Sequence, residues 1–240
     1  MNSKNLGRIA RIALVAASLM GAQFASAQVA AGSVIRLGDG IGSLAGVYNG
    51  SVISGPGAAS GSFQTFCLEK FEYFGSNQNL YVKSVSTATQ NATGGPSTAT
   101  KVSGGAAGSD SLSAQTAYLF TQFYSNQATY AGTLSLANSM QRAVWFLEGE
   151  LAGSDLTAYN ADTKAKEWVS AANTAVSNGL WSGLGNVRVL NLYTNASYTS
   201  HSQDQLYMVT AVPEPQTYAL MLAGLGLIGT IARRRKSKAA

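Results

Sequence analysis

An uncharged apolar run, Thr217–Ala232, constrains this chain more than any other stretch. It is entered through Val212-Pro213-Glu214-Pro215 and closed by Arg233-Arg234-Arg235-Lys236-Ser237-Lys238. Two residues of the Pro-Glu-Pro triplet lack an amide N–H and have φ fixed, so neither a strand nor a helix continues through it. The triplet reads as a stiff, exposed stem. At about 1.5 Å rise per residue the run behind it spans roughly 24 Å as a helix, a little short of the ~30 Å hydrocarbon core. The cations of residues 233–238 resist passage through a membrane and stay on the cytoplasmic side.

The other end is built for export. Lys4, Arg8 and Arg11 precede a short apolar segment, Ile12–Ala22, and Ala25-Ser26-Ala27 places small residues at the −3 and −1 positions. Residues 1–27 therefore read as a secretory signal peptide cleaved before Gln28, with an export translocase and a signal peptidase as partners.

The order of parts at the C-terminus resembles the PEP-CTERM protein-sorting signal of Gram-negative bacteria. Pro213, Glu214 and Pro215 form its triplet, Gly224, Gly226 and Gly229 punctuate its apolar segment, and Arg233, Arg234, Arg235 and Lys236 form its membrane stop. The resemblance implies an inner-membrane intermediate, processing by an exosortase near the triplet, and delivery to the cell surface or extracellular matrix. The competing reading is a plain tail anchor that is never cut.

The basic balance of the chain belongs to its ends. Of 16 Lys and Arg, three lie in the signal peptide and five in the tail, which leaves eight against 11 acidic residues and a net charge of −3 between the ends. Nucleic-acid binding through net charge is thereby excluded. Cys67 is the single cysteine, so no intramolecular disulfide is possible, and a lone thiol in an oxidising compartment needs an explanation.

Residues 28–211 read as one exported ectodomain, with 212–240 as the sorting region (transmembrane helix 217–232, basic tail 233–238). Short strands are expected at Ser33–Leu37 and Gly46–Ile53, with turns at Gly38-Asp39-Gly40 and Gly55-Pro56-Gly57. Ser62–Phe74 reads as a central strand, apolar on both faces as far as Leu68, with Asn79–Thr87 as its hairpin partner. Residues 91–110 form a Gly/Ser/Thr/Ala-rich loop. Three helices are predicted. Leu112–Ser125 is capped by Asp110 or Ser111. Leu134–Leu151 carries the stripe Ala137, Met140, Val144, Leu147 and Leu151, and Leu156–Val176 the stripe Ala161, Ala165, Trp168, Ala172 and Ala175. Strands at Asn186–Tyr193 and Gln203–Thr210 complete an α+β domain, an antiparallel sheet plus about three helices, with the last strand pairing back onto the sheet.

Two patches carry candidate chemistry. Thr65-Phe66-Cys67-Leu68-Glu69 is followed by Met140-Gln141-Arg142-Ala143-Val144-Trp145 on the second helix. An aromatic-Cys strand motif and a Gln-x-Ala-aliphatic-Trp helix motif resemble the thioester domains of Gram-positive surface adhesins. That resemblance implies an internal thioester in which the Cys67 sulfur displaces ammonia from the Gln141 side chain, with Phe66 and Trp145 shielding the bond. It implies surface amines as acyl acceptors and an adhesive role, and matrix polysaccharide is a further expected partner. Those domains commonly have Thr before the Gln, where this chain has Met140. The competing and favoured reading of the same pair is core, a small buried hydrophobe beside a polar helix edge.

Other signals are weaker. Glu69, Glu72, Glu148 and Glu150 offer paired carboxylates of the kind used in acid/base work or calcium binding, but each pair lies on one surface element and solvated charge is the favoured reading. His201 is the single histidine, so neither a zinc site nor a Cys-His dyad is supported. No metal, no cofactor and no enzymatic activity are expected. The favoured function is a surface or biofilm-matrix protein, and the alternative is a secreted hydrolase or ligand-binding protein with an inert core cysteine.

Overall fold

The computed structural model describes residues 29–41, 46–56, 62–90 and 109–209, with isolated positions between 221 and 228. The predicted signal peptide with its expected cleavage site at Ala25, Ala27 and Gln28, the predicted loop of 91–108, the Pro213-Glu214-Pro215 triplet and the cations of 233–238 lie outside the described residues. Most of the predicted transmembrane run does too. Among the described residues no helix is long and apolar enough to cross a membrane.

The described residues form an α+β fold. Its elements in chain order are β1 (Val34–Ile41), β2 (Val47–Ser54), β3 (Ser62–Thr65), β4 (Asn79–Ser86), α1 (Ala114–Ser125), α2 (Gln127–Ala131), α3 (Leu134–Leu147), α4 (Gly153–Ala161), α5 (Thr163–Ser177), β5 (Val187–Tyr193) and β6 (His201–Met208). All pairings are antiparallel in one six-stranded sheet of order β3-β2-β1-β4-β5-β6. The predicted return of the last strand to the sheet is observed.

The stretch read as a central strand behaves differently. Its β part ends at Thr65, pairs only with β2 and sits at the sheet edge. The chain then runs to the opposite edge, where Cys67 bridges Gln205 of β6, Leu68 N donates to Asp204 O (3.1 Å) and Leu206 N donates to Phe66 O (3.0 Å). The sheet thus curls until its two edges meet. Phe66, Cys67 and Leu68 are buried in succession, because this segment passes between sheet edge and helices and has no solvent face. That continuous burial imitates a central strand in sequence. Asn79–Ser86 consequently pairs with β1 and β5 rather than with its predicted hairpin partner. Gly38-Asp39-Gly40, read as a turn, lies inside β1 where the register with β2 shifts.

Five helices lie between Ala114 and Ser177. Ser113, not Asp110 or Ser111, caps α1, its side chain accepting from Thr116 N. The predicted second helix stops at Leu147, and Gly149 follows at φ 77°. The predicted third helix is two, broken at Asp162, which leaves helical geometry and caps α5 by accepting from Ala165 N. That side-chain bond replaces the continuation of the helix.

Two apolar clusters result. Phe120 and Phe123 of α1, Met140 and Val144 of α3 and Trp168 of α5 pack with Phe66, Val187, Val189 and Leu206. Inside the curled sheet, Ile35, Leu37, Phe63, Leu80, Val82, Leu190, Leu192 and Tyr207 form the second cluster. Strand alternation lets β5 serve both: Val187 and Val189 face the helices, whereas Leu190 and Leu192 face the sheet interior.

Candidate functional site

Cys67 and Gln141, 74 positions apart, meet in the interior. Gln141 is buried on the inner face of α3 because it follows Met140 in a helix whose stripe faces the sheet edge. Its carboxamide pairs with both polar groups of the Cys67 backbone: Oε1 accepts from Cys67 N at 3.0 Å and Nε2 donates to Cys67 O at 2.8 Å. The sulfur lies on β6, where Gln205 Nε2 donates to Cys67 Sγ at 3.3 Å. Gln205 Oε1 in turn accepts from Thr65 Oγ1 at 3.3 Å.

Surroundings of the pair are dry. Cys67, Gln141 and Gln205 are all inaccessible. Phe66 turns its ring into the helical core, edge-on to Phe120 and Phe123. Trp145, one turn beyond Gln141, is buried with Lys70 Nζ 5.6 Å from its ring centroid. The segment after Cys67 is tied down by Lys70 N donating to Glu150 Oε2 at 3.1 Å and by the Lys70–Asp155 ion pair at 2.8 Å.

Burial pushes the Cys67 thiol up to about 12, with the Gln205 hydrogen bond pulling it down and the nearby Glu69 carboxylate adding to the rise. The sulfur is therefore a neutral thiol at physiological pH. What the geometry offers is a carbonyl already polarised: the Cys67 N–H donates to the Gln141 oxygen on which negative charge would develop if sulfur added to the amide carbon.

The acidic residues read as solvated charge are instead buried. Glu69, Glu72, Glu148 and Glu150 are 4%, 8%, 6% and 3% exposed, because the segments that carry them are folded against β6 and the start of α1. Around His201, Glu69 and Glu72 build a second polar cluster with Asp204. His201 Nδ1 lies 2.6 Å from Glu72 Oε2, and Nε2 lies 3.3 Å from Asp204 Oδ1. Asp204 is fully buried and its oxygens accept from Leu192 N (2.9 Å), Gln90 N (2.9 Å) and Asn191 Nδ2 (2.8 Å). Its own N–H donates to Glu69 Oε2 at 3.2 Å, and Gln203 Nε2 donates to Glu69 O.

Gln205, Asp204 and Gln203 escape a sequence reading of the site. The available signal was the composition of β6: His201-Ser-Gln-Asp-Gln205 is polar at every position, yet Ser202–Tyr207 is buried throughout. A polar run inside a strand that must enter a core marks a hydrogen-bonded network.

The PEP-CTERM protein-sorting motif matches residues 211–236, which takes in Pro213, Glu214, Pro215 and the cations Arg233, Arg234, Arg235 and Lys236. No curated protein and no solved structure matches the chain. The comparisons lend no support to the thioester-domain resemblance of Cys67 and Gln141. The motif at its C-terminus makes this chain a cell-surface or exported protein processed by an exosortase.

Proposed function

We propose that this chain is a non-enzymatic surface or extracellular-matrix protein of a Gram-negative bacterium, and that its ectodomain carries an internal thioester between Cys67 and Gln141. The pairing of the Gln141 carboxamide with the Cys67 peptide supports this reading, since it brings the acyl donor to the residue bearing the thiol. In the step proposed, Sγ bonds to the Gln141 side-chain carbon, the C–N bond breaks, and ammonia leaves with the thiol proton. Atoms and charge balance without a co-reactant. The dry surroundings supplied by Phe66, Val144 and Trp145 protect the product from hydrolysis. A surface amine that reached the bond would receive the acyl group and release the Cys67 thiol, giving covalent adhesion.

Amine capture tests the proposal. Purified protein incubated with methylamine gains one adduct, mapped by peptide mass spectrometry to Gln141, and Cys67→Ala abolishes it. Absence of any adduct in freshly purified wild-type protein, under conditions that open the domain mildly, contradicts the proposal and leaves Gln141 as a clip holding the two sheet edges against α3.

A further inference from the structure

The cluster around His201 has the makings of a metal site, and its residues play no part in the thioester reading. One carboxylate oxygen of Glu69, one of Glu72 and a ring nitrogen of His201 all lie within 4.8 Å of one another. Glu69 is 4% exposed, and its Oε1 is buried with no hydrogen-bond partner among the described residues, while Oε2 is committed to Asp204 N. A buried, unpartnered carboxylate oxygen is costly and calls for an occupant.

The two ring nitrogens divide the work. Nε2 faces Asp204 Oδ1 at 3.3 Å, and Asp204 is itself fixed by Leu192, Gln90 and Asn191. A carboxylate that holds one imidazole N–H turns the other nitrogen toward a metal as a lone-pair donor, the usual arrangement behind a metal-bound histidine. That other nitrogen, Nδ1, faces Glu72. Access is provided by a cleft of about 560 Å³ lined by Glu72, Tyr73, Lys83, Tyr193, His201 and Ser202, with Lys83 Nζ engaged by the Tyr193 hydroxyl at 3.4 Å.

We propose that Glu69, Glu72 and His201 bind one divalent transition-metal ion of the zinc class through Nδ1 and two carboxylate oxygens, with Asp204 orienting the imidazole and the cleft supplying the remaining ligand as water. An imidazole with carboxylates suits zinc and its neighbours. Calcium and magnesium take oxygen ligands and make no use of the ring.

His201 is the single histidine of the chain, so an untagged protein gives one set of imidazole proton resonances. The full chain, purified in detergent and stripped with a chelator, is titrated with zinc chloride alone. The expected result is a shift of both His201 ring resonances that saturates at one zinc per chain and survives excess magnesium. Glu69→Gln and Glu72→Gln each weaken binding about tenfold or more, and Asp204→Asn, which replaces the orienting carboxylate, weakens it roughly 10- to 100-fold. Ring resonances that stay in place at millimolar zinc overturn the proposal and assign the cluster to a buried histidine–carboxylate pair. So does wild-type affinity in both glutamine variants. Should a variant fail to fold, the wild-type titration alone decides.

Discussion

The carboxylate of Glu148, at the C-terminus of α3, accepts hydrogen bonds from both the hydroxyl (2.7 Å) and the backbone N–H (3.3 Å) of Ser113, the residue that caps α1. Burial pushes Glu148 up to about 7; the hydrogen bonds from Thr116 and Ser113 oppose that rise, and the Asp110 charge adds to it. In the unfolded chain the same group titrates near its ordinary 4.5. Between these values the folded state holds a proton that the unfolded state has released, so stability falls as pH rises through this window. Glu148→Gln keeps an acceptor for Ser113 and removes the titration. We expect wild type and variant to unfold alike near pH 4. By pH 8 the variant should be the more stable by an amount on the order of 3 kcal/mol. Parallel urea denaturation series across pH measure this, and parallel curves at every pH refute it.

Asp162 joins three elements. Its carboxylate accepts from Ala165 N (3.0 Å) at the start of α5, from Ser139 Oγ (2.9 and 3.0 Å) on α3, and pairs with Arg142 at 2.8 Å. Burial alone would raise this carboxyl, but the Ala165 N–H, the Ser139 hydroxyl and Arg142 together hold it below its ordinary value. Its stabilising contribution is therefore present above the ordinary carboxylate range and is lost as pH falls through the lower, folded value. Asp162→Ala should cost about 2 kcal/mol at pH 7, chiefly through the lost cap. Asp162→Asn, which retains an acceptor for Ala165, should cost less and flatten the acid limb below about pH 4. Thermal melts of the three proteins at neutral and acid pH read both effects.

Gly50 of β2 lies opposite Phe63 of β3, whose ring covers the glycine: a Cβ there would collide with Phe63 Cζ. The ring cannot simply move away, because it is buried edge-on to Tyr207 with centroids 5.4 Å apart. Gly50→Ala is expected to destabilise by about 1–3 kcal/mol, the usual cost of overpacking. Combining it with Phe63→Leu should cost less than the two single changes added together. Strict additivity in denaturation experiments contradicts the packing described.

Much of the fold was legible where local physics decides it. The stripe through Ala137, Met140 and Val144 places α3 on the sheet, and Asn186–Tyr193 and the last strand are found within a few residues of their predicted places. Cys67 and Gln141 are found in contact through the Gln141 carboxamide and the Cys67 peptide. Illegible were features settled by tertiary contact. The burial of Phe66, Cys67 and Leu68 in succession reflects passage between sheet edge and helices, which periodicity cannot separate from a central strand. The break at Asp162 depends on Ser139 and Arg142 from another helix. The burial of Glu69 and Glu72 requires β6 to arrive from more than 120 positions away, and no local pattern announces it.

Export and folding should separate experimentally. Pro213 and Pro215 lie within the matched sorting motif, beyond the last described strand. Replacing both with Ala is expected to leave the thermal unfolding of the ectodomain unchanged while full-length protein accumulates in the inner membrane. Fractionation with and without the exosortase checks this. Normal release of the double variant contradicts the role assigned to the triplet.

The pairing of Gln141 with the Cys67 peptide makes its sharpest prediction in the intact mass of the exported, freshly purified protein. Thioester formation leaves wild type lighter than its sequence by one ammonia molecule, and Cys67→Ala and Gln141→Ala at their full calculated masses. A wild-type mass equal to the sequence value, in protein shown to be folded and never exposed to amines, contradicts the account.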